Sequence, residues 1–314
     1  MNTNTVSAPT PAGGETAISQ QPMWERDIND VRREDLEQSI AGAGAPEPIA
    51  SVTWISANGV PAWLYQPAQR VESVLVWFHG GGWMLGEPAC HDSLVRALAN
   101  RAGCAVLSVD YRRAPEFRYP VATDDAWTAT VWASEHFPQV AVGGDSAGGN
   151  LAAAVAQRAR DHALPLALQL LVYPVLDADP NAGYREEFAQ HHEDPADPDA
   201  LGIDWRNNMR YIWREYVPDP VQRLASDASP MHAPSFAGLA PALLITAGRD
   251  ILRAESEEYA RRLTTVDVPA RVHNYPRANH GFFHLLDAAP DAPDAVSISA
   301  TALRHAFAGS PEES

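Results

Sequence analysis

Apolar runs recur along most of the chain, and segments with helical spacing lie between them. Near-continuous apolar runs of this kind are typical of strands in a parallel sheet that is covered on both faces. The runs predict strands at residues 73–78, 104–110, 140–144, 166–174, 241–248 and 270–276. The segments between them predict helices at residues 91–103, 121–137, 146–163 and 253–266. This alternation predicts an α/β fold with a mostly parallel, doubly wound sheet and helices on both faces.

The segments before the first of these strands have patterns of their own. Residues 1–22 are rich in Thr, Pro, Ala and Gly, which predicts a disordered tail. Residues 23–41 have the charge and spacing of a short helix. Residues 50–67 predict a hairpin, because two strand-like runs flank the turn-forming pair Asn58-Gly59.

One region breaks the alternation of strands and helices. Residues 177–220 form a long polar insertion that carries several large aromatic side chains. A loop of that length without secondary structure is uncommon in a compact domain, so the insertion predicts a helical cap. We therefore expect residues 177–220 to form a small helical cap over the sheet.

The chain is strongly acidic. Its 314 residues include 23 basic and 40 acidic side chains, which gives a net charge of −17, and no residue is lysine. A surface of this charge repels phosphate backbones and anionic lipids, which argues against nucleic acid and membrane surfaces as partners. Cys90 and Cys104 are the only cysteines, and we expect both to be buried thiols without metal or redox work.

The sequence contains no secretory signal or membrane-spanning pattern. The N-terminus has neither a basic start nor an apolar run, and no stretch approaches the roughly 20 apolar residues of a membrane helix. A cytoplasmic location is therefore expected.

The motif G-x-S-x-G at residues 144–148 stands between an apolar strand and an alanine-rich helix. This is the context of a nucleophile elbow, in which the turn is so tight that side chains at either glycine would clash. The turn exposes the hydroxyl group of Ser146 at a helix N-terminus, where developing negative charge is favoured.

A serine hydroxyl needs a base to become an effective nucleophile. Asp250 and His280 both follow predicted strands, in the order that α/β-hydrolases use after the nucleophile. The carboxyl ends of those strands would bring both residues to Ser146. We favour Asp250 as the acid over three other carboxylates, which are Asp145, Asp177 and Asp267.

Three consecutive glycines at residues 80–82 follow the first predicted strand of the alternating region, directly after His79. A flexible turn is one interpretation. The other is a loop of the HGGG type, which approaches the substrate closely and supplies N–H groups to the oxyanion of an acyl-transfer intermediate. With the candidate catalytic residues elsewhere in the chain, we favour an oxyanion hole formed by Gly80, Gly81, Gly82 and Ala147.

Several motifs together resemble the hormone-sensitive-lipase-like family of α/β-hydrolases, the bacterial family IV esterases. They are HGGGW, DYRRAPEFRYP, GDSAGGNLAAAVA, SPMHAPSFAGLAPALLITAGRDILRAE and NHGF, and the resemblance extends from about residue 50 to the C-terminus. It implies Ser146 as nucleophile, His280 as general base and Asp250 as the acid that orients it, with oxyanion contacts from Gly81, Gly82 and Ala147. One departure is that Ile251 stands where the family has proline after the acid. The resemblance also implies a cap made of residues 23–47 and 177–220 over a catalytic domain of residues 48–176 and 221–314. It further implies a homodimer formed through the edge strand near residues 270–276.

These patterns predict a serine hydrolase of carboxylic esters with small to medium acyl groups, which needs no cofactor and no metal. Hydrolysis of an amide or N-acetyl group in a small metabolite is an alternative, as is a lyase, a cyclase or a ligand-binding protein on the same scaffold. The pair His191-His192 is interpreted as a solvated stretch of the cap. We expect large side chains to surround the substrate, with Trp83, Trp205 and Trp213 as candidates.

Overall fold

The computed structural model describes residues 21–185 and 205–309, apart from the side chains of residues 205 and 206. Its centre is one sheet with the strand order β1-β2-β4-β3-β5-β6-β7-β8. The first two strands pair antiparallel to their neighbours and the remaining pairs are parallel. The strands are β1 Ser51–Ala57, β2 Val60–Gln66, β3 Ser73–Phe78, β4 Ala105–Val109, β5 Gln139–Asp145, β6 Gln169–Val172, β7 Ala242–Arg249 and β8 Ala270–Asn279.

The predicted hairpin is present between β1 and β2. Asn58 and Gly59 form its turn with φ angles of 50° and 96°. Both angles lie in the left-handed region that a two-residue hairpin turn of this kind requires, and asparagine and glycine adopt that region most readily.

The helices follow the predicted alternation, with one addition. They are α1 Ile28–Ala43, α2 Asp92–Ala102, α3 Val121–His136, α4 Ala147–Asp161, α5 Trp205–Tyr216, α6 Arg253–Thr265 and α7 Ala292–Ala308. The sequence patterns above do not include α7, although Pro293 in its first turn and Gly309 just beyond its end are ordinary boundary signals.

The sheet separates two apolar cores. Side chains from α3, α4 and α6 fill the core on one face, and those from α2 and α7 fill the core on the other. Strands β3 and β4 are buried along their whole length. This burial on both faces is the reason that their sequences are near-continuous apolar runs.

Only part of the predicted cap belongs to the described residues. Residues 1–20 and 186–204, which include most of the predicted tail and the pair His191-His192, lie outside them. The described part of the insertion contains α5. Its Trp213 and Tyr216 are buried in the core that α3, α4 and α6 fill, which we call the main core. No helix in the described ranges is long and apolar enough to span a membrane.

Both cysteines are unpaired and buried, as predicted. Cys90 and Cys104 are 1% and 0% exposed. Burial raises the pKa of each thiol to about 12, so both are protonated at neutral pH.

Candidate active site

Ser146 lies at a sharp turn between β5 and α4. Its backbone angles are φ 54° and ψ −117°, which places a non-glycine residue in a strained conformation. A Cβ atom on Gly144 would collide with the backbone of Gly148, and one on Gly148 would collide with the carbonyl group of Phe78. The glycines on either side of the serine are therefore a steric requirement of the turn.

The structure brings His280 and Asp250 to this turn from the carboxyl ends of β8 and β7. The Nδ1–H of His280 donates to Asp250 Oδ2 at 2.6 Å, and the hydroxyl of Ser146 donates to His280 Nε2 at 2.9 Å. The carboxylate fixes this tautomer, because it can only accept a hydrogen bond. A second bond, from the N–H of Leu252 to Asp250 Oδ1 at 2.9 Å, orients the carboxylate itself.

Burial and charge act in opposite directions on His280. Burial lowers the pKa of the imidazole, but the charge and hydrogen bond of Asp250 outweigh it. Asp145 and Glu255 raise the pKa further, so that it lies above its ordinary value of 6.5. A base with this pKa can take up the serine proton during the reaction.

The other candidate carboxylates have different partners. Asp177 binds His232 Nε2 and the hydroxyl of Tyr184, both at 2.9 Å. Asp267 is exposed after α6 with a φ of 60°. The structure places neither of them at His280.

The glycine loop lies directly beside Ser146. The N–H groups of Gly81, Gly82 and Ala147 donate to no protein acceptor among the described residues. Gly80 differs, because its N–H donates to Asp145 Oδ1 at 2.9 Å and is therefore not available to an oxyanion. The loop turns sharply after the glycines, where the N–H of Leu85 donates to the carbonyl of Gly81 at 2.8 Å.

A group of buried histidines lies behind this loop, around the carboxylate of Asp145. His91 Nε2 is 2.9 Å from Asp145 Oδ1, and the ring of His284 is 4.8 Å from that of His91. Burial would raise the pKa of Asp145, but His91 outweighs this effect and lowers it to about 2. Burial lowers the pKa of His79 and of His284 to about 3, so both rings are neutral at neutral pH.

Three of these side chains are close enough to hold a metal ion. The ligand atoms of His91, Asp145 and His284 lie within 4.8 Å of one another. Imidazole nitrogen and carboxylate oxygen would suit a first-row transition metal. Oδ1 of Asp145, which is 2.9 Å from His91 Nε2, already accepts the N–H of Gly80, so a metal bound to that oxygen would compete with the contact that holds the glycine loop.

Helix α1 forms hydrogen bonds to the segment that follows the glycines, which the sequence patterns did not predict. Arg32 donates to the carbonyls of Met84 and Ala114 at 2.8 and 2.9 Å and also pairs with Glu116. Asp35 accepts the N–H of Gly86 at 3.1 Å. Both residues lie on one face of α1, one turn apart, but nothing in the sequence indicated which loop that face would meet.

The predicted substrate-binding tryptophans are mostly packed against one another. The ring of Trp83 stacks on Tyr216 with centroids 4.2 Å apart and contacts Trp213 at 4.9 Å. Trp83 is 0% exposed and Trp213 5% exposed, so both offer little surface to a ligand in this structure. Trp205 is the first residue of α5, and its side chain lies outside the described part of the chain.

Ile212 of α5 lies against the glycine loop, a contact that the sequence patterns did not predict. A Cβ atom on Gly82 would meet three carbons of the Ile212 side chain at 3.0 to 3.3 Å. This isoleucine therefore covers the glycine loop. Residues 209, 212, 213 and 216 are apolar or aromatic and have helical spacing. That spacing could have indicated that Ile212 faces the rest of the protein.

Comparisons with known proteins agree with this geometry. The family model described as alpha/beta hydrolase fold matches residues 75–284. The chain is similar to the esterase LipI of Mycobacterium tuberculosis, with 38% identity over 76% of this chain and 74% of that protein. It is also similar to an ethyl acetate hydrolase of Pseudomonas putida, with 31% identity over 93% of this chain and 94% of that protein.

Solved structures give the same result. A hyperthermophilic esterase from Pyrobaculum calidifontis superposes with a TM-score of 0.80 and 34% identity, over 89% of this chain and 94% of the other. EstE1, a thermostable carboxylesterase from a metagenomic library, superposes with a TM-score of 0.81 and 31% identity, over 91% of this chain and 99% of the other. The resemblance inferred from the motifs is confirmed, and the chain belongs to the α/β-hydrolase fold family, among the hormone-sensitive-lipase-like esterases.

Proposed function

We propose that the protein is a serine carboxylesterase that cleaves esters of small to medium acyl chains through an acyl-enzyme intermediate. The relay of hydrogen bonds from Ser146 through His280 to Asp250 carries this proposal. The relatives named esterase and ethyl acetate hydrolase support an ester substrate.

In the first half of the reaction, Ser146 Oγ attacks the ester carbonyl carbon while its proton passes to His280 Nε2. Asp250 holds the imidazole in the required tautomer and stabilises the imidazolium that forms. The tetrahedral intermediate then expels the alkoxide, which takes the proton from His280 and leaves as the alcohol. Ser146 remains joined to the acyl group by an ester bond.

In the second half, a water molecule gives a proton to His280 Nε2 and attacks the acyl carbon. The second tetrahedral intermediate collapses, the C–O bond to Ser146 breaks, and the proton on His280 returns to Ser146 Oγ. The acyl group leaves as a carboxylic acid. The two halves use the same base and require no other reactant.

The negative charge of each tetrahedral intermediate needs fixed donors. We assign these to the N–H groups of Gly81, Gly82 and Ala147, which have no protein acceptor among the described residues. One such donor is worth roughly 2.7 to 4 kcal/mol in transition-state stabilisation in other serine hydrolases. Gly80 instead fixes the loop through Asp145.

Restricted space beside the oxyanion loop supports a preference for short acyl groups. Ile212 covers Gly82, and the aromatic group of Trp83, Trp213 and Tyr216 fills the space next to it. We propose that residues 23–47 and 177–220 act together as the cap that limits this space. Contacts from α1 and α5 to the glycine loop and the segment after it support this division of the chain.

The strand at the edge of the sheet supports the predicted homodimer. Strand β8 is the last strand of the sheet, and its Val272 side chain is 39% exposed. An edge strand offers unpaired backbone groups to a second copy of the chain. The excess of acidic residues supports small molecules, rather than nucleic acids or membrane surfaces, as the remaining partners.

The decisive experiment is an assay of p-nitrophenyl esters of increasing acyl length. Hydrolysis of acetyl amides is measured alongside. Wild-type protein should hydrolyse short esters and be labelled covalently by a small serine-directed phosphonate. Ser146→Ala should lose both properties, with kcat lower by a factor on the order of 10⁶. Amide turnover that exceeds ester turnover would reject the esterase proposal, and labelling of Ser146→Ala would reject the nucleophile.

A further inference from the structure

Helix α5 has two faces with different chemistry. Met209, Ile212, Trp213 and Tyr216 pack against the main core on one side. Asn207, Arg210, Tyr211 and Arg214 follow the same spacing of three and four residues on the opposite side, and the partly buried Tyr211 also contacts that core. The outer face is therefore polar and aromatic, and it is separated from the glycine loop by the helix itself.

The outer face of α5 forms one wall of an open cavity of about 570 Å³. Trp24, from the segment before α1, and Arg223, from the segment after α5, also line the cavity. Ligand pockets in proteins have volumes of roughly 300 to 1,000 Å³, so the cavity is large enough for a small organic molecule.

The cavity contains three guanidinium groups, and the described residues around them carry little neutralising charge. In the described ranges, Arg210 donates to the amide oxygen of Asn207 at 3.0 Å, and Arg223 donates to the carbonyl of Val217 at 2.8 Å. Arg214 reaches Glu215 at 3.3 Å, and that carboxylate also pairs with Arg118.

This arrangement is unusual for a chain in which acidic residues outnumber basic ones by 40 to 23. Among the described residues, Arg214 pairs with the carboxylate of Glu215, and no ion pair joins a carboxylate to Arg210 or Arg223. Guanidinium groups bind carboxylate and phosphate with paired, charge-assisted hydrogen bonds. The positive charge is thus only partly neutralised within the described part of the chain, which favours an anionic ligand.

Two aromatic side chains give the cavity an apolar surface. The rings of Trp24 and Tyr211 are in contact with centroids 6.4 Å apart, and the guanidinium of Arg214 lies 5.2 Å above the ring of Tyr211. Trp24 is 37% exposed, so part of its ring remains open to a ligand. A flat apolar group can pack here while its charged group reaches the arginines.

We propose that this cavity is a second binding site, which takes a small organic anion. A carboxylate or phosphate group binds Arg210, Arg214 and Arg223, and a flat apolar body packs on Trp24 and Tyr211. The site is distinct from the catalytic serine, because a helix about 10 Å across separates the cavity from the glycine loop.

Titration calorimetry with three matched compounds tests the proposal. The probes are 2-naphthoate, 2-naphthyl phosphate and the neutral 2-naphthamide, at about 0.15 M salt, where the field of distant charges is screened. The test variant is Arg210→Gln with Arg214→Gln, which removes two exposed side chains. The control is Arg70→Gln with Arg277→Gln, which changes the net charge equally at exposed arginines outside the cavity.

We expect at least one of the two anions to bind with a dissociation constant at least 10-fold lower than that of the amide. The test variant should lose that preference, while the control variant should keep it within a factor of two. The better of the two anions identifies the charged group. Equal binding of the anions and the amide, or an unchanged preference in the test variant, would overturn the proposal, as would equal losses in both variants.

Discussion

His91 Nε2 lies 2.9 Å from Asp145 Oδ1, the same carboxylate oxygen that accepts the N–H of Gly80 at 2.9 Å. Asp145 directly precedes the nucleophile in the chain, and Gly80 directly precedes the two glycines assigned to the oxyanion. One buried carboxylate therefore joins the nucleophile turn to the oxyanion loop. The positions of the N–H groups assigned to the oxyanion therefore depend on the hydrogen bond from Gly80 to Asp145.

Asp145→Asn should lower kcat and leave KM nearly unchanged. Hydrogen bonds to a charged group are worth about 1.5 to 3 kcal/mol, which corresponds to a loss of about 10- to 150-fold if the loop shifts in the transition state. Steady-state kinetics with a short p-nitrophenyl ester measures this change. Asp177→Asn is the matched control, because Asp177 is equally buried and also lies 2.9 Å from a histidine, His232. Equal losses of kcat in the two variants would contradict the role of Asp145 in positioning the oxyanion loop.

Asp250→Asn should preserve the fold and lower kcat by about 10⁴, because an amide cannot hold His280 in the required tautomer. Circular dichroism and thermal unfolding verify that the variant folds, and ester turnover measures the loss. Asp177→Asn serves again as the comparison. A larger loss in that variant than in Asp250→Asn would show that the acid was assigned to the wrong residue.

The pH profile should reflect the raised pKa of His280. The base accepts a proton only when Nε2 is free, so kcat/KM should be lost as the pH falls through the imidazole pKa. Since that pKa is raised by Asp250, the midpoint should lie above 6.5. The residual activity of Asp250→Asn should have a lower midpoint, because the charge that raises the pKa is gone. A wild-type profile that stays flat to pH 5 would contradict this role.

Arg32→Ala should destabilise the protein and reduce turnover. The substitution removes bonds to Met84, Ala114 and Glu116, and charged hydrogen bonds contribute about 1.5 to 3 kcal/mol each to stability. We expect the melting temperature and kcat to fall together, because the same contacts hold the segment that follows the glycines. Arg33→Ala on the same helix is the control, since its side chain is 59% exposed and its ion pair in the described structure is with the exposed Asp30 at 2.8 Å. Equal shifts in the melting temperature would indicate that Arg32 does not brace the loop.

Ile212→Ala should shift the preference towards longer acyl chains. The side chain covers Gly82, and each methylene of lost contact is worth roughly 1 to 3 kcal/mol of discrimination. The ratio of kcat/KM for hexanoate to that for acetate should rise about 10-fold or more. Ile40→Ala, at a 51% exposed position of α1, should leave that ratio unchanged. An unchanged ratio in Ile212→Ala would mean that α5 does not limit the acyl pocket.

Local patterns determined most of the fold. Burial on both sides makes a strand continuously apolar, so β3 and β4 could be predicted without knowing their neighbours. The turn at Asn58-Gly59 and the glycines around Ser146 could be predicted for a similar reason, because each is a conformational or steric requirement within a few residues of chain. Helix α7 was missed, although its boundary residues were available.

Contacts between distant segments could be decided only by the tertiary structure. Asp250 and Asp177 both follow strands, and only the folded sheet places one at His280 and the other at His232. The N–H of Gly80 was indistinguishable from those of its neighbours until Asp145 was placed beside it. The physical reason is that sequence spacing fixes what a residue can reach along its own strand or helix. The partner across the fold depends on how those elements pack, and that is where the orientation of each donor and the pKa of each base are set.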